Sequence, residues 1–323
     1  MRTPRCLTLL LVAVGFAVLL LPPLRLGAET LQPSPPTLWL IGDSTVQVGT
    51  RGQQGWGSAI APFFDPARIR VANHAQGGRS SRTFLTSGRW QKVLERLRPG
   101  DVVIMQFGHN DAGPVNENPP VTSSTRARGT LRSNGDETAD IVNVLTGKPE
   151  TVHSYGWYLR HFIETAREKG ATAIVCSPVP RKSWSKEGHI NRASGSWSLW
   201  AREAAEQAKT PFVDLNEIIA RGYEALGREK VEPLFADRGT HTSPEGAALN
   251  ARAVISGLRS LEPNPLEFAL SDAGRQVPAF PALFLEDDRP VVEEAAVVPG
   301  LRAPPGDPLA GGGVRDSPPS PTK

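Results

Sequence analysis

From residue 37 to residue 261 the chain alternates short runs of Val, Ile and Leu with longer amphipathic stretches, and few folds accept that alternation. Residues 37–41, 69–73, 101–107, 171–177 and 211–215 read as strands. They show little apolar–polar alternation, as expected of strands covered on both faces. Between them, residues 88–96, 156–169, 196–209, 215–226 and 244–261 carry helical patterns, with Gly100 and Gly170 where helix C-caps are expected. Strand and helix in turn predict an α/β fold built on a doubly wound parallel sheet. A stretch of about 225 residues is one domain with ample core.

The ends of the chain read differently. Arg2 and Arg5 precede an almost unbroken apolar run from Leu7 to Leu21, and the small residue Ala28 follows. That run is shorter than the roughly 20 residues of a comfortable membrane span. Residues 1–28 are therefore expected to be a secretory signal peptide, with an uncleaved anchor as the alternative. Either reading places the remainder outside the cytoplasm, secreted or periplasmic, and cleavage leaves no stable membrane insertion. Residues 29–261 form the expected main domain. Residues 262–323 hold 12 of the 30 prolines and 10 acidic against 5 basic residues, and are expected to be a largely disordered acidic tail. Within it, residues 279–285 (AFPALFL) could dock on the domain.

Charge excludes one partner class. The chain has 36 Lys and Arg against 33 Asp and Glu, but Arg2, Arg5 and Arg25 fall in the leader and no acid does. What remains is balanced, so no nucleic-acid partner is implied. Of the two cysteines, Cys6 leaves with the leader. Cys176 then has no partner and reads as a small buried hydrophobe, so stability must come from a packed core.

Four short blocks place a polar side chain or a glycine directly after an apolar run or inside a turn: residues 40–45 (LIGDST), 73–84 (NHAQGGRSSRTF), 102–111 (VVIMQFGHND) and 237–247 (DRGTHTSPEGA). Open parallel sheets present ligand-contacting residues at such strand ends. Ser44 can offer its hydroxyl there, together with its own backbone N–H; taken alone, it could equally cap a following helix. Gly78 can bring a backbone N–H close to a ligand with no Cβ in the way, and Gly77 is expected to supply the bend. Asn110, held at a strand end, can donate its side-chain amide, while Asp111 is expected to tie down the turn. Three donors, Ser44 N–H, Gly78 N–H and Asn110 Nδ2, would make an oxyanion hole.

His241 is the expected general base. It precedes a helix that begins at Pro244 and is capped by Thr242 or Ser243, and Asp237 lies just upstream. His74, His109 and His153 neighbour motifs but lack an orienting acid close by. His161 falls in a helix and His189 in a polar loop. No His or Cys spacing suggests a metal site, and no cofactor is required. The polar, Gly- and Pro-rich stretch 112–154 reads as a long loop lining the site.

These blocks resemble those of the SGNH/GDSL hydrolases, with Ser44, Gly78, Asn110 and His241 at the four signature positions. "GDSTV", "GGRSSRTF", "FGHND", "GDET", "VHSYGWYLR" and "HTSPEGA" resemble the rhamnogalacturonan acetylesterase branch in particular. The resemblance covers roughly residues 38–261. It implies a three-layer α/β/α sandwich with a parallel, flavodoxin-like sheet. It also implies removal of O-acetyl groups from pectic or related polysaccharides by a serine hydrolase. One departure stands out. The family's acid is normally three residues before the histidine, and here Arg238 occupies that position while Asp237 stands four before. Either the turn is reshaped so that Asp237 orients His241, or the enzyme runs as a Ser–His dyad. Two rival functions remain: an SGNH lipase or arylesterase of broad ester specificity, and a non-catalytic glycan-binding protein on a decayed esterase fold.

Overall fold

The computed structural model describes residues 34–118 and 120–282. The expected leader at 1–28 and everything after residue 282 lie outside the described residues. The strands described are β1 (Thr37–Gly42), β2 (Arg70–Asn73), β3 (Val102–Gln106), β4 (Thr138–Val142), β5 (Pro149–His153), β6 (Thr172–Cys176) and β7 (Phe212–Val213). The α-helices are α1 (Ser81–Thr86), α2 (Arg89–Leu94), α3 (Tyr155–Glu168), α4 (Trp197–Gln207), α5 (Leu215–Leu226), α6 (Arg228–Val231), α7 (Pro244–Arg259) and α8 (Asp272–Gln276). No described helix is long and apolar enough to cross a membrane.

Five strands form one sheet in the order β2-β1-β3-β6-β7, every neighbouring pair parallel. Successive side chains point to opposite faces of a strand, and both faces are buried here. Leu38, Leu40, Val102, Ile104, Ile174 and Cys176 pack with Ile218 and Ile219 of α5 and Val254 and Leu258 of α7. Trp39, Ile41, Val103, Met105, Ala173 and Val175 pack instead with Phe84, Trp90, Leu159, Phe162 and Ala201 from helices α1 to α4. Two apolar cores, one on each side, make the three-layer sandwich and explain why these strands read as continuous hydrophobic runs. Relative to the sheet's own strands, the order is the flavodoxin-like one, which opens a crevice at the carboxyl ends of β1 and β3. Cys176 is buried in the first core and is a free thiol.

The last sheet strand is shorter than the pattern at 211–215 suggested. Asp214 turns its carboxylate to the start of α5, accepting from Glu217 N–H at 3.2 Å and from Ser177 Oγ at 2.7 Å, so strand geometry stops at Val213.

Two expectations need correction. The stretch 112–154 is not a single loop, because β4 and β5 form an antiparallel hairpin within it. The hairpin is fastened by Arg82 of α1, whose side chain is fully buried. Its guanidinium donates to both Glu150 oxygens at 2.7 and 2.9 Å, to the Val115 carbonyl at 2.7 Å and to the Gly129 carbonyl at 2.8 Å. Burying a guanidinium is costly unless it is paired in this way. The second correction concerns the start of the tail. Residues 262–282 pack on the domain, with Leu266, Ala269, Leu270 and Val277 inside the first core. Backbone bonds from Asp65 N–H to the Ala269 carbonyl (2.9 Å) and from Ser271 N–H to the Phe63 carbonyl (3.0 Å) hold the segment in place.

Candidate active site

β1 ends at Gly42, where a Cβ would stand 2.5 Å from both the Gln106 carbonyl oxygen and Val46 Cγ2, so only glycine fits. The chain then turns around Asp43, which is fully buried. Asp43 Oδ1 accepts from Thr45 N–H at 2.9 Å and Thr45 Oγ1 at 2.7 Å, and its carbonyl accepts from the N–H groups of Val46 and Gln47 at 3.2 and 3.1 Å. Beneath the turn, Trp56 Nε1 donates to Gln106 Oε1 and Gln106 Nε2 to Thr45 Oγ1, each at 2.8 Å. Ser44 sits on this support and caps no helix. Its Oγ lies 2.8 Å from Nε2 of His241.

His241 is held from three sides. Its carbonyl accepts from Ala236 N–H at 2.9 Å, and the next residue bridges to Phe235. Thr242 exchanges bonds with the Gln54 backbone. Ser243, not Thr242, caps α7, with Pro244 in the first turn. His241 Nδ1 meets Asp237 Oδ2 at 2.6 Å. The turn from 237 to 241 wraps around the other carboxylate oxygen, Oδ1, which accepts from the N–H groups of Gly239 (2.9 Å), Thr240 (2.7 Å) and His241 (3.0 Å). Partial burial would raise this carboxyl's pKa, but those three backbone donors and the imidazole outweigh it and hold Asp237 well below the usual carboxylate range. The displaced acid thus reaches the histidine from four residues away. Arg238 is exposed, and its side chain makes no bond among the described residues.

Block two approaches from the other side. Gln76 N–H donates to the Gly42 carbonyl at 3.0 Å, which ties the loop to the end of β1. Gly77 lies against the serine: a Cβ there would be 3.6 Å from Ser44 Cβ. The bend falls on Gly78, at φ +77°, and not on Gly77 as the sequence suggested. Any side chain at Gly78 would be strained in that left-handed conformation. Ser80 then caps α1 through a reciprocal box with Thr83. The N–H groups of Ser44 and Gly78 have no acceptor among the described residues. Asn110 donates one amide hydrogen to the Arg79 carbonyl at 2.9 Å, leaving the second available.

Asp111 ties down its turn as expected. It is fully buried and accepts from Ser81 N–H (3.0 Å), Ser81 Oγ and Gly108 N–H (3.0 Å), joining block two to block three. Burial, with help from the nearby Asp43 charge, pushes its pKa up to about 7 against the pull of those donors. The unfolded value is near 3.8, so between pH 4 and 7 the folded state binds more protons and this group makes stability fall as pH rises. Asp111→Asn removes that slope. It also sets an amide N–H2 against a backbone N–H, a mismatch costing about 1–3 kcal/mol. The stability gap between wild type and Asp111→Asn should therefore narrow as pH is raised from 4 to 7, read from urea melts at a series of pH values. A constant gap would show that Asp111 does not titrate in that window.

The sequence missed one partnership. His109 does have an acid nearby: Asp43 Oδ2 lies 3.3 Å from Nδ1, and the Val179 carbonyl lies 3.0 Å from Nε2. Burial raises the Asp43 carboxyl, yet the His109 ring and the Thr45 donors outweigh it and hold it below the usual range. His109 thereby links the serine turn to the Asn110 turn. Of the other histidines, His74 lies against Trp39 with ring centroids 5.0 Å apart, His153 and His161 stack on Trp157 at 3.7 and 5.1 Å, and His189 is exposed beside Glu224.

A family model for GDSL-like lipases and acylhydrolases matches residues 40–249. A rhamnogalacturonan acetylesterase of Emericella nidulans is 32% identical over 222 residues, 69% of this chain and 84% of that protein. The rhamnogalacturonan acetylesterase RhgT of Bacillus subtilis is 29% identical over 244 residues, 70% of this chain and 91% of that protein. Among solved structures, the protein YxiM of Bacillus subtilis superposes with a TM-score of 0.56 at 25% identity, over 70% of this chain and 56% of the other.

Proposed function

Because the chain belongs to the GDSL-like lipase/acylhydrolase family, we propose that it is a secreted carbohydrate O-acetylesterase acting on pectic, rhamnogalacturonan-like or related polysaccharides. It is a serine esterase, and the observation that carries the reading is the continuous line Ser44 Oγ, His241, Asp237, with contacts of 2.8 and 2.6 Å. The substrate class is supported by the two rhamnogalacturonan acetylesterases that resemble most of the chain. Export is supported by the character of residues 1–28.

In the proposed reaction Ser44 Oγ attacks the acetyl carbonyl while His241 Nε2 takes its proton. Asp237 at Nδ1 keeps the proton on that nitrogen, so that Nε2 presents a lone pair to the serine, and then stabilises the imidazolium. The developing oxyanion is received by Ser44 N–H, Gly78 N–H and the free hydrogen of Asn110 Nδ2. Collapse breaks the ester C–O bond, and the imidazolium returns its proton to the departing sugar oxygen, which leaves as a hydroxyl. Water, activated by the same imidazole, then hydrolyses the acetyl-Ser44 ester and frees acetate.

A glycan-binding protein on a decayed esterase fold drew its support from Arg238, and that support falls away with Asp237 bonded to His241. The test is acetate release from acetylated pectin and acetylated xylan, set beside p-nitrophenyl esters of increasing acyl length. Acetate should be released fastest from the pectic polymer. Rates on the nitrophenyl series that climb with acyl length, together with inert polymers, would place the enzyme among the lipases.

A further inference from the structure

Both ring nitrogens of His109 face oxygen atoms that accept. Nδ1 lies 3.3 Å from Asp43 Oδ2, and Nε2 lies 3.0 Å from the Val179 carbonyl oxygen. A neutral imidazole has one N–H and one lone pair, so one of these contacts would set lone pair against lone pair. The imidazolium donates at both. The shared proton belongs to the ring and not to the acid. Burial raises the Asp43 carboxyl, but the His109 charge and the donors of Thr45 outweigh it and keep Asp43 ionised.

The ring sits across three strand ends. β3 lies between β1 and β6, and His109, just past the end of β3, reaches the turn after β1 on one side and the segment after β6 on the other. Its side chain is 7% exposed, and that of Asp43 is fully buried. No other cation pairs with Asp43 among the described residues; Arg128 lies within electrostatic range of it but makes no ion pair there. Asp43 and Thr45 flank Ser44, and their mutual bonds fold the carboxylate against the turn whose Ser44 N–H would receive the oxyanion. Asn110, the third proposed donor, directly follows His109. A bare carboxylate at this point would oppose the charge that the donors are there to stabilise, and a low local dielectric would strengthen the repulsion.

We propose that His109 is a positioning residue for the oxyanion hole: a buried imidazolium that neutralises Asp43 and fixes the Ser44 turn against the Asn110 turn. This rests on the serine-esterase reading above. It gives the site a second histidine–aspartate pair, separate from His241 and Asp237, which acts by charge and hydrogen bonds and transfers no proton.

The test is a double-mutant cycle on the full chain with p-nitrophenyl acetate. His109→Gln keeps a hydrogen-bond donor but carries no charge. It should lower kcat about tenfold to a hundredfold, with KM within about threefold of wild type. In the Asp43→Asn background no carboxylate needs neutralising, and the same change should cost less than about threefold in kcat. A ring that served packing alone would cost the same in both backgrounds. Equal losses, a loss carried by KM, or no loss in the otherwise wild-type chain would overturn the proposal. A second measurement needs no variant to fold. In the NMR spectrum of the wild-type chain carrying isotope-labelled histidine, the ring linked to the His109 backbone signals should bear a hydrogen on each nitrogen. One bare nitrogen on that ring would overturn the proposal as well. Should wild type fail to hydrolyse p-nitrophenyl acetate, that failure belongs to the esterase reading, and the ring spectrum alone then decides whether His109 is the charged partner of Asp43.

Discussion

Ser44→Ala is expected to reduce kcat by about six orders of magnitude, the scale seen when a serine nucleophile is removed from an intact triad. The size of that loss follows from the chemistry: without Oγ no acyl-enzyme forms, and His241 is left to assist water alone. The fold should survive, because the hydroxyl's hydrogen bond is to His241 and the turn is carried by Asp43 and Thr45. Acetate release read against a thermal melt separates the two effects. A variant retaining more than a tenth of wild-type activity with an unchanged melt would remove Ser44 as nucleophile. A fluorophosphonate probe gives an independent readout, since it should label Ser44 in wild type and nothing in the variant.

Much of the fold could be read from the pattern of apolar runs. β1, β3 and β6 are buried on both faces, so they appear as unbroken stretches of Val, Ile and Leu that tertiary packing has no reason to contradict. Ser44 and Asn110 were visible for the same reason, each standing just past such a run. The hairpin β4–β5 was not visible. Its strands keep most of their residues exposed or half-exposed, and its hold on the domain comes from Arg82, dozens of residues away in sequence. Asp43 and His109 were missed as a pair because 66 residues separate them, and only the pairing of β1 with β3 brings their turns together. The switch of bend from Gly77 to Gly78 depends on a backbone angle that two adjacent glycines conceal. Residues 262–282 misled through composition: proline and acid suggested disorder, while Leu266, Leu270 and Val277 fill a core groove.

The displaced acid was the most exposed question in the sequence, and Asp237→Asn is the substitution that addresses it. Asp237→Ala would be ambiguous. It deletes the imidazole's partner, and it also strips Gly239, Thr240 and His241 of the carboxylate oxygen that accepts their N–H groups. The turn would loosen, and a loss of activity could not be ascribed to chemistry. Asparagine keeps an oxygen in the Oδ1 position for those three donors and places an amide N–H2 opposite His241 Nδ1. That amide requires Nδ1 to accept, which moves the ring proton to Nε2 and leaves no lone pair for Ser44. The expected result is a fall in kcat/KM of about 10⁴ with the melting temperature little changed. Arg238→Ala should stay within a few-fold of wild type, since that side chain is exposed and bonded to nothing in the described protein. Arg238→Asp, which restores the spacing usual in the family, should not raise activity, because the imidazole already has its carboxylate at 2.6 Å. Asp237 is held ionised by its backbone donors, so its own titration should contribute no limb to the pH–rate profile of wild type in the range where the protein is folded. If Asp237→Asn keeps kcat/KM within tenfold of wild type, the enzyme works as a Ser–His dyad and the 2.6 Å contact serves the turn alone.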